Sequence, residues 1–125
     1  MNDYTALGGA PGVERLLRAF VDRVFDDFII GFHFIGKDRE RSIKHEVEHA
    51  SEHLGGPSVY TGRPLHQVHR PLPSNRGHFR RRLALLRTVL QEHDVDGAII
   101  ERWLAADRRL EAAIVDGTDC GPPPH

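Results

Sequence analysis

The sequence predicts an all-α protein with four or five main helices. Apolar residues recur at helical spacing in four segments, and no segment alternates apolar and polar residues as a strand does. Glycine and proline fall between these segments, where they interrupt the helical pattern. We expect the helices to cross one another rather than form a regular bundle.

The first long helix is predicted to follow the break at residues 7–12 and to end near Phe28. One wide apolar face supports it, made of Val13, Leu16, Leu17, Phe20, Val21, Val24, Phe25 and Phe28. An aromatic-rich turn follows over residues 29–36. The second long helix is predicted over 37–54, with a narrow apolar stripe of Ile43, Val47, Ala50 and Leu54. Gly55-Gly56-Pro57 should stop it, as a glycine past a helix end followed by proline does.

Three further helices are predicted in the second half of the chain. A short one over 64–70 lies between prolines. Ser74 is the expected N-cap of the next helix, which runs to about Glu92. Asp94 or Asp96 should open the last helix, whose apolar residues are Ile99, Ile100, Trp103, Leu104, Leu110 and Ile114.

Charge and cysteine usage exclude several classes of protein. Lys and Arg total 17 and Asp and Glu total 18, a formal charge of -1 that argues against nucleic-acid and membrane-surface binding. The basic run at residues 80–82 is interpreted as a solvated helix face. The single Cys120, the absence of a signal peptide and the lack of a long apolar stretch predict a soluble, cytoplasmic protein. Residues 1–115 should form the domain and residues 116–125 a flexible tail rich in proline and glycine.

His69 is the first candidate for chemistry. It lies on the short helix between prolines, with Leu65, Val68 and Leu72 around it. Haem iron takes a neutral imidazole nitrogen as axial ligand in apolar surroundings, and this helix could present one. A surface or capping histidine fits the same pattern, so these residues alone leave both interpretations open.

The order of several short motifs resembles the truncated haemoglobin family. The motifs are Leu54-Gly55-Gly56-Pro57, Tyr60-Thr61-Gly62-Arg63-Pro64, Val68-His69 and His78-Phe79, with Leu7-Gly8-Gly9 near the start. The resemblance extends from about Tyr4 to Val115.

This resemblance implies a globin with a shortened first helix, a two-over-two helical sandwich. It implies haem b as cofactor and His69 as the proximal ligand. Phe34 would stack on the porphyrin, and the remaining cofactor contacts would be Phe20, Tyr60, Leu65, Val68, Phe79, Leu83 and Leu86. The implied ligand is a diatomic gas, with a reductase as a possible partner, in a monomer or small homo-oligomer. Nitric oxide dioxygenase and peroxidase-like activities both remain open.

The distal side departs from the family pattern. Val21 stands where many relatives carry a tyrosine that hydrogen-bonds the gas ligand. The helix facing the iron carries Ser42, His45 and Glu46, and His45 matches the position of a second axial histidine in some relatives. His45 is therefore expected either to ligate iron or to project into solvent.

A metal-dependent hydrolase or a zinc-binding protein is the alternative from another functional class. His45-Glu46-Val47-Glu48-His49 matches the pattern H-E-x-x-H, in which two histidines four apart bind zinc and the glutamate acts as general base. His53 could be a third ligand. The ordinary interpretation of this row is an exposed charged helix face.

A globin fold without haem, acting as a regulatory or interaction domain, is the third hypothesis. A carboxylate at position 46 facing a haem pocket would be costly unless it is paired, and His33 or Arg39 could supply the partner.

Overall fold

The computed structural model of the chain describes residues 2–57 and 76–115, with side chains placed except at 76 and 110–115. Its α-helices are α1 (Asp3–Ala6), α2 (Gly9–Phe25), α3 (Arg39–Leu54), α4 (Arg76–Glu92) and α5 (Gly97–Val115), and a 3₁₀ helix covers Gly31–Phe34. These two stretches contain no strand, which confirms the all-α class. The predicted helix over 64–70, the Ser74 cap and the tail over 116–125 lie outside the described residues.

The core lies where α2 crosses α3 and α4. Helix α5 packs on α4 and also reaches α3, and α1 covers the junction of α2 with α3. Each long helix contributes buried apolar residues, among them Val13, Leu17, Phe20, Ala50, Leu54, Leu86, Leu90, Trp103 and Leu104. Burial of these side chains supplies most of the driving force for the fold. Within the described stretches, no helix is both long and apolar enough to span a bilayer.

Helix α2 begins earlier and ends earlier than the sequence predicts. It starts at Gly9, so Pro11 falls in the first turn, where a backbone N–H has no helical partner to lose. It ends at Phe25, because the Asp27 carboxylate accepts hydrogen bonds from the backbone N–H groups of Ile29 and Ile30 and forms a turn there. The prediction that Phe28 belongs to the apolar helix face is wrong: its side chain is 99% exposed.

Helix α3 ends at Leu54 as predicted, but it begins at Arg39, two residues later than predicted. Asp38 caps the helix by accepting a hydrogen bond from the Arg41 backbone N–H. Gly55 ends it in the left-handed conformation, with φ of 97°. The Asn2 side chain donates to the Gly55 carbonyl at 2.8 Å, which ties α1 to this end of α3.

The last helix opens at Asp96, one of the two predicted positions. The Asp96 carboxylate accepts a hydrogen bond from the Ala98 backbone N–H at 3.1 Å. Asp94 instead adopts a positive φ of 58° in the turn between α4 and α5, a conformation that aspartate tolerates better than most residues.

Candidate functional site

A half-buried polar stripe runs along α3. At about 100° per residue, Ser42, His45, Glu46, His49 and His53 share one side of the helix. The row of Ile43, Ala50 and Leu54 lies about a third of a turn away and is buried against α2. None of the five stripe residues is fully exposed. The prediction that this row is an exposed charged face is therefore wrong.

Arg82 of α4 is the centre of the contacts made by this stripe. One of its terminal nitrogens donates to Glu46 at 2.8 Å and the other donates to Asp107 of α5 at 2.9 Å. The guanidinium also lies 5.0 Å from the centre of the Phe20 ring, in cation–π geometry. Arg82 thus links α3, α4 and α5, and its guanidinium lies over the buried Phe20 ring of α2.

Asp107 is the most deeply buried ionisable carboxylate of the cluster, with 3% of its side chain exposed. Burial raises its pKa, but the Arg82 charge and the contacts with Arg82 and His49 outweigh that effect and lower the pKa to about 2. Burial likewise lowers the pKa of Arg82, yet the charges of Glu46 and Asp107 raise it further than burial lowers it. Asp107 and Arg82 are therefore both charged at neutral pH.

The partner of Glu46 differs from the prediction. His33 and Arg39, the residues expected to neutralise it, are engaged elsewhere. Arg39 pairs with Asp22 at 3.0 Å, and the His33 ring nitrogen lies 3.1 Å from a ring nitrogen of His78. Arg82 takes the role instead. The interpretation of residues 80–82 as a solvated face therefore holds for exposed Arg80 and is wrong for Arg82.

Arg81 supports the same correction. It forms an ion pair of 2.6 Å with Asp27, whose side chain is only 5% exposed. The hydrogen bonds from Arg81 are the main reason why the Asp27 pKa is lowered to about 2. Two of the three arginines in the run therefore hold buried carboxylates.

The residues expected to line a cofactor pocket divide into two groups where the structure describes them. Phe20, Leu83 and Leu86 are core residues, exposed by 1%, 7% and 1%. Phe34 and Phe79 are half-buried, and the Phe34 ring stacks on Phe25 with 5.1 Å between ring centres. Tyr60, Leu65, Val68 and His69 lie outside the described residues.

Three residues of the expected distal side, Val21, Ser42 and His45, lie in the described part of the chain. Val21 is buried, with 3% exposed, and carries no polar group. Ser42 and His45 are half-buried, and no hydrogen bond or ion pair joins the His45 imidazole to another described residue. His45 therefore neither projects freely into solvent nor is held by a described partner.

The histidines of the H-E-x-x-H match are arranged differently from the predicted zinc site. Among the described residues, the group that could hold a metal is His49, His53 and Asp107, whose ligand atoms all lie within 4.8 Å of one another. His45 is not part of it. Glu46, the predicted general base, is bound by Arg82. The sequence pattern missed Asp107, because nothing local to position 107 marks a carboxylate that meets residues more than 50 positions away.

The family model of the bacterial-like globins matches residues 2–115. The chain belongs to this family. Its sequence is 30% identical to the group 1 truncated hemoglobin GlbN of Mycolicibacterium paratuberculosis, over 91% of this chain and 84% of that protein.

Solved structures show the same fold. A mutant truncated hemoglobin from Tetrahymena pyriformis in the Fe(III) form aligns with a TM-score of 0.84 at 22% identity, covering 92% of this chain and 98% of that one. The 2/2 hemoglobin of a Synechococcus species, in the cyanomet state with covalently attached heme, aligns with a TM-score of 0.74 at 22% identity, covering 96% and 94%. The two-over-two globin fold predicted from the motifs is thereby confirmed.

Proposed function

We propose that this truncated globin binds haem b through His69 and uses the iron to bind a diatomic gas. The observation that carries the proposal is the family match over residues 2–115, a range that includes His69 and the motifs around it. The relatives named above include proteins described with Fe(III) and with heme. The domain would be residues 1–115, with residues 116–125 as a tail.

The described residues are compatible with a haem next to α3. The main objection is Glu46, because an unpaired carboxylate beside an apolar cofactor is costly. The ion pair with Arg82 offsets this cost, because the two side chains lie 2.8 Å apart and neither is fully buried. The exposed fraction is 25% for the Glu46 side chain and 22% for the Arg82 side chain. When bound, haem would supply an iron that coordinates the gas, and His69 would hold that iron.

His45 is the proposed second axial ligand when no gas is present. It lies one residue before Glu46 on the half-buried stripe, and none of the described residues holds its ring by a hydrogen bond or ion pair. A spectrum of the reduced protein tests this. We expect a sharp, split visible band in the native protein and a single broad band in a His45→Ala variant. A single broad band in the native protein would contradict the proposal.

Retention of oxygen should be weak. Val21 cannot donate a hydrogen bond, and the two terminal nitrogens of Arg82 already donate to Glu46 and Asp107. A donor to the gas ligand contributes about 1–3 kcal/mol when water is excluded, so its loss should speed oxygen release about 5- to 160-fold. Stopped-flow measurement of the oxygen dissociation rate checks this. Slow release, comparable to that of a relative with the tyrosine, would show that another donor acts.

The His69→Ala variant tests the axial assignment. We expect it to lose stable haem binding, seen as a loss of most of the Soret absorbance after gel filtration. His93→Ala is the matched control, because His93 is exposed just after α4 and the one hydrogen bond that its ring forms with a described residue is to the Val89 carbonyl. A full Soret band in His69→Ala would show that another residue holds the iron.

A further inference from the structure

Two histidines of α3 and one aspartate of α5 converge on a small polar space between these helices. His49 and His53 are four residues apart and therefore lie on the same side of α3. The His49 Nε2 atom lies 3.8 Å from Asp107 Oδ1, which is too long for a hydrogen bond. One nitrogen of each ring and one carboxylate oxygen lie within 4.8 Å of one another.

All three groups present a buried atom without a hydrogen-bond partner among the described residues. These atoms are His49 Nε2, His53 Nε2 and Asp107 Oδ1. Buried polar atoms are nearly always paired, because leaving one unpaired costs about 1–3 kcal/mol. Three unpaired atoms facing one space therefore indicate a missing partner common to all of them.

The chemistry of the three groups fits a divalent cation. Two imidazole nitrogens and one carboxylate oxygen form a common zinc ligand set, which leaves a fourth position for water. A cation between the three atoms would need each of them to move by less than about 1 Å to reach zinc bond lengths of about 2.0–2.2 Å.

The neighbouring groups orient this set and leave it with negative charge. The Asp107 Oδ2 atom accepts the hydrogen bond from Arg82, so Oδ1 stays directed at the histidines. The His53 ring packs edge-on against buried Trp103 at 5.8 Å between ring centres, which restricts its rotation. Glu46 balances Arg82, so with neutral imidazoles the cluster carries one net negative charge, from Asp107.

We propose that His49, His53 and Asp107 bind one divalent transition-metal ion, with zinc as the best fit, through residues other than those assigned to haem. The ion ties the middle of α3 to α5 across the position where Arg82 already joins them. It differs from the site suggested by the H-E-x-x-H pattern, because His45 takes no part and Glu46 is not a base.

The experiment measures zinc bound to the purified full-length chain, with its haem content recorded separately by absorbance. The chain is dialysed against limiting Zn²⁺, and bound zinc is measured by elemental analysis. Thermal melts with zinc and with a chelator are run in parallel. We expect one zinc per chain and a rise in Tm that stops at one equivalent and is reversed by the chelator. No stoichiometric zinc would overturn the proposal.

Three variants identify the ligands. His53→Gln and Asp107→Asn should each weaken zinc binding at least about 100-fold, more than the loss of a residue that only supports a ligand. His45→Gln is the control and should bind zinc as the native chain does. Far-UV circular dichroism verifies the fold of each variant, and His53→Gln decides the matter if Asp107→Asn does not fold.

Two results would contradict the proposed ligand set. Loss of zinc in His45→Gln together with retention in His53→Gln would favour the site predicted from the sequence pattern. Zinc binding that is equal in all variants would show adventitious binding by other histidines of this histidine-rich chain.

Discussion

Replacing Arg82 with methionine should destabilise the protein by about 3 kcal/mol at pH 7. The substitution keeps an unbranched apolar stem over Phe20 but leaves Glu46 and Asp107 without a countercharge. The Asp107 pKa is lowered from 3.8 to about 2, which corresponds to about 2 kcal/mol of stabilisation of the charged form. The exposed quarter of Glu46 lets it turn toward water, whereas buried Asp107 keeps its desolvation cost.

Urea unfolding followed by far-UV circular dichroism, at matched haem content, measures this loss. Arg23→Met is the control, because the Arg23–Glu92 pair has both side chains more than 40% exposed and should contribute less than about 1 kcal/mol. Without Arg82, only His49 opposes the burial that raises the Asp107 pKa. The pKa should therefore rise, and the deficit of the variant should shrink as the pH falls from 7 to 5. A loss below 1 kcal/mol, or a deficit independent of pH, would refute the role given to Arg82.

Two further predictions concern pH and packing. Because the pKa of His53 is lowered in the folded state, His53 takes up a proton in the unfolded state first as the pH falls. The free energy of unfolding should therefore fall below pH 6.5. The His53→Gln variant should show a smaller dependence on pH in this range. The free energy of unfolding should fall again between pH 3.8 and about pH 2, because Asp107 protonates in the unfolded state before it does so in the folded state. Urea unfolding measured across this pH range checks both steps. A free energy of unfolding that does not change with pH would contradict them. Gly12→Ala should lower the free energy of unfolding by about 2–3 kcal/mol, because the new methyl carbon would lie 1.9 Å from the Leu7 carbonyl oxygen. Gly97→Ala is the control. Its methyl group would meet nothing within 4 Å, so the substitution should be neutral or slightly stabilising. Equal melting temperatures for these two variants would show that α2 moves away from Leu7 at little cost.

The helices and their stop signals could be predicted because each depends on residues close in sequence. The apolar period of α2 and the Gly55 terminator of α3 are local patterns, and both are found in the structure. The end of α2 was mispredicted at Phe28, since an apolar residue in phase with the helix continues the pattern. The competing turn depends on the Asp27 carboxylate, whose hydrogen bonds to the backbone cannot be read from apolar periodicity.

The polar cluster shows where such reasoning stops. Arg82 meets Glu46 and Asp107 across 36 and 25 positions of sequence. Local charge patterning favours a solvated face for a run of arginines, and only the packing of α3, α4 and α5 brings the carboxylates within reach. The same packing moves the candidate metal ligands from His45 and His49 to His49, His53 and Asp107.

The fold itself followed from motif order, because short motifs at fixed spacing are specific when several occur together. His45 is half-buried and Val21 is buried, and their roles beside the iron stay predictions. The interior charges of this chain were not expected from that resemblance. Their pairing explains how a carboxylate at position 46 is accommodated without loss of the fold.

The absorption spectrum of the purified chain supplied with haem, compared with that of its His69→Ala variant, tests the central proposal most directly. We expect a strong Soret band at one haem per native chain and little Soret absorbance in the variant after gel filtration. A colourless native protein, or an unchanged spectrum in His69→Ala, would contradict the proposal that this globin holds haem iron through His69.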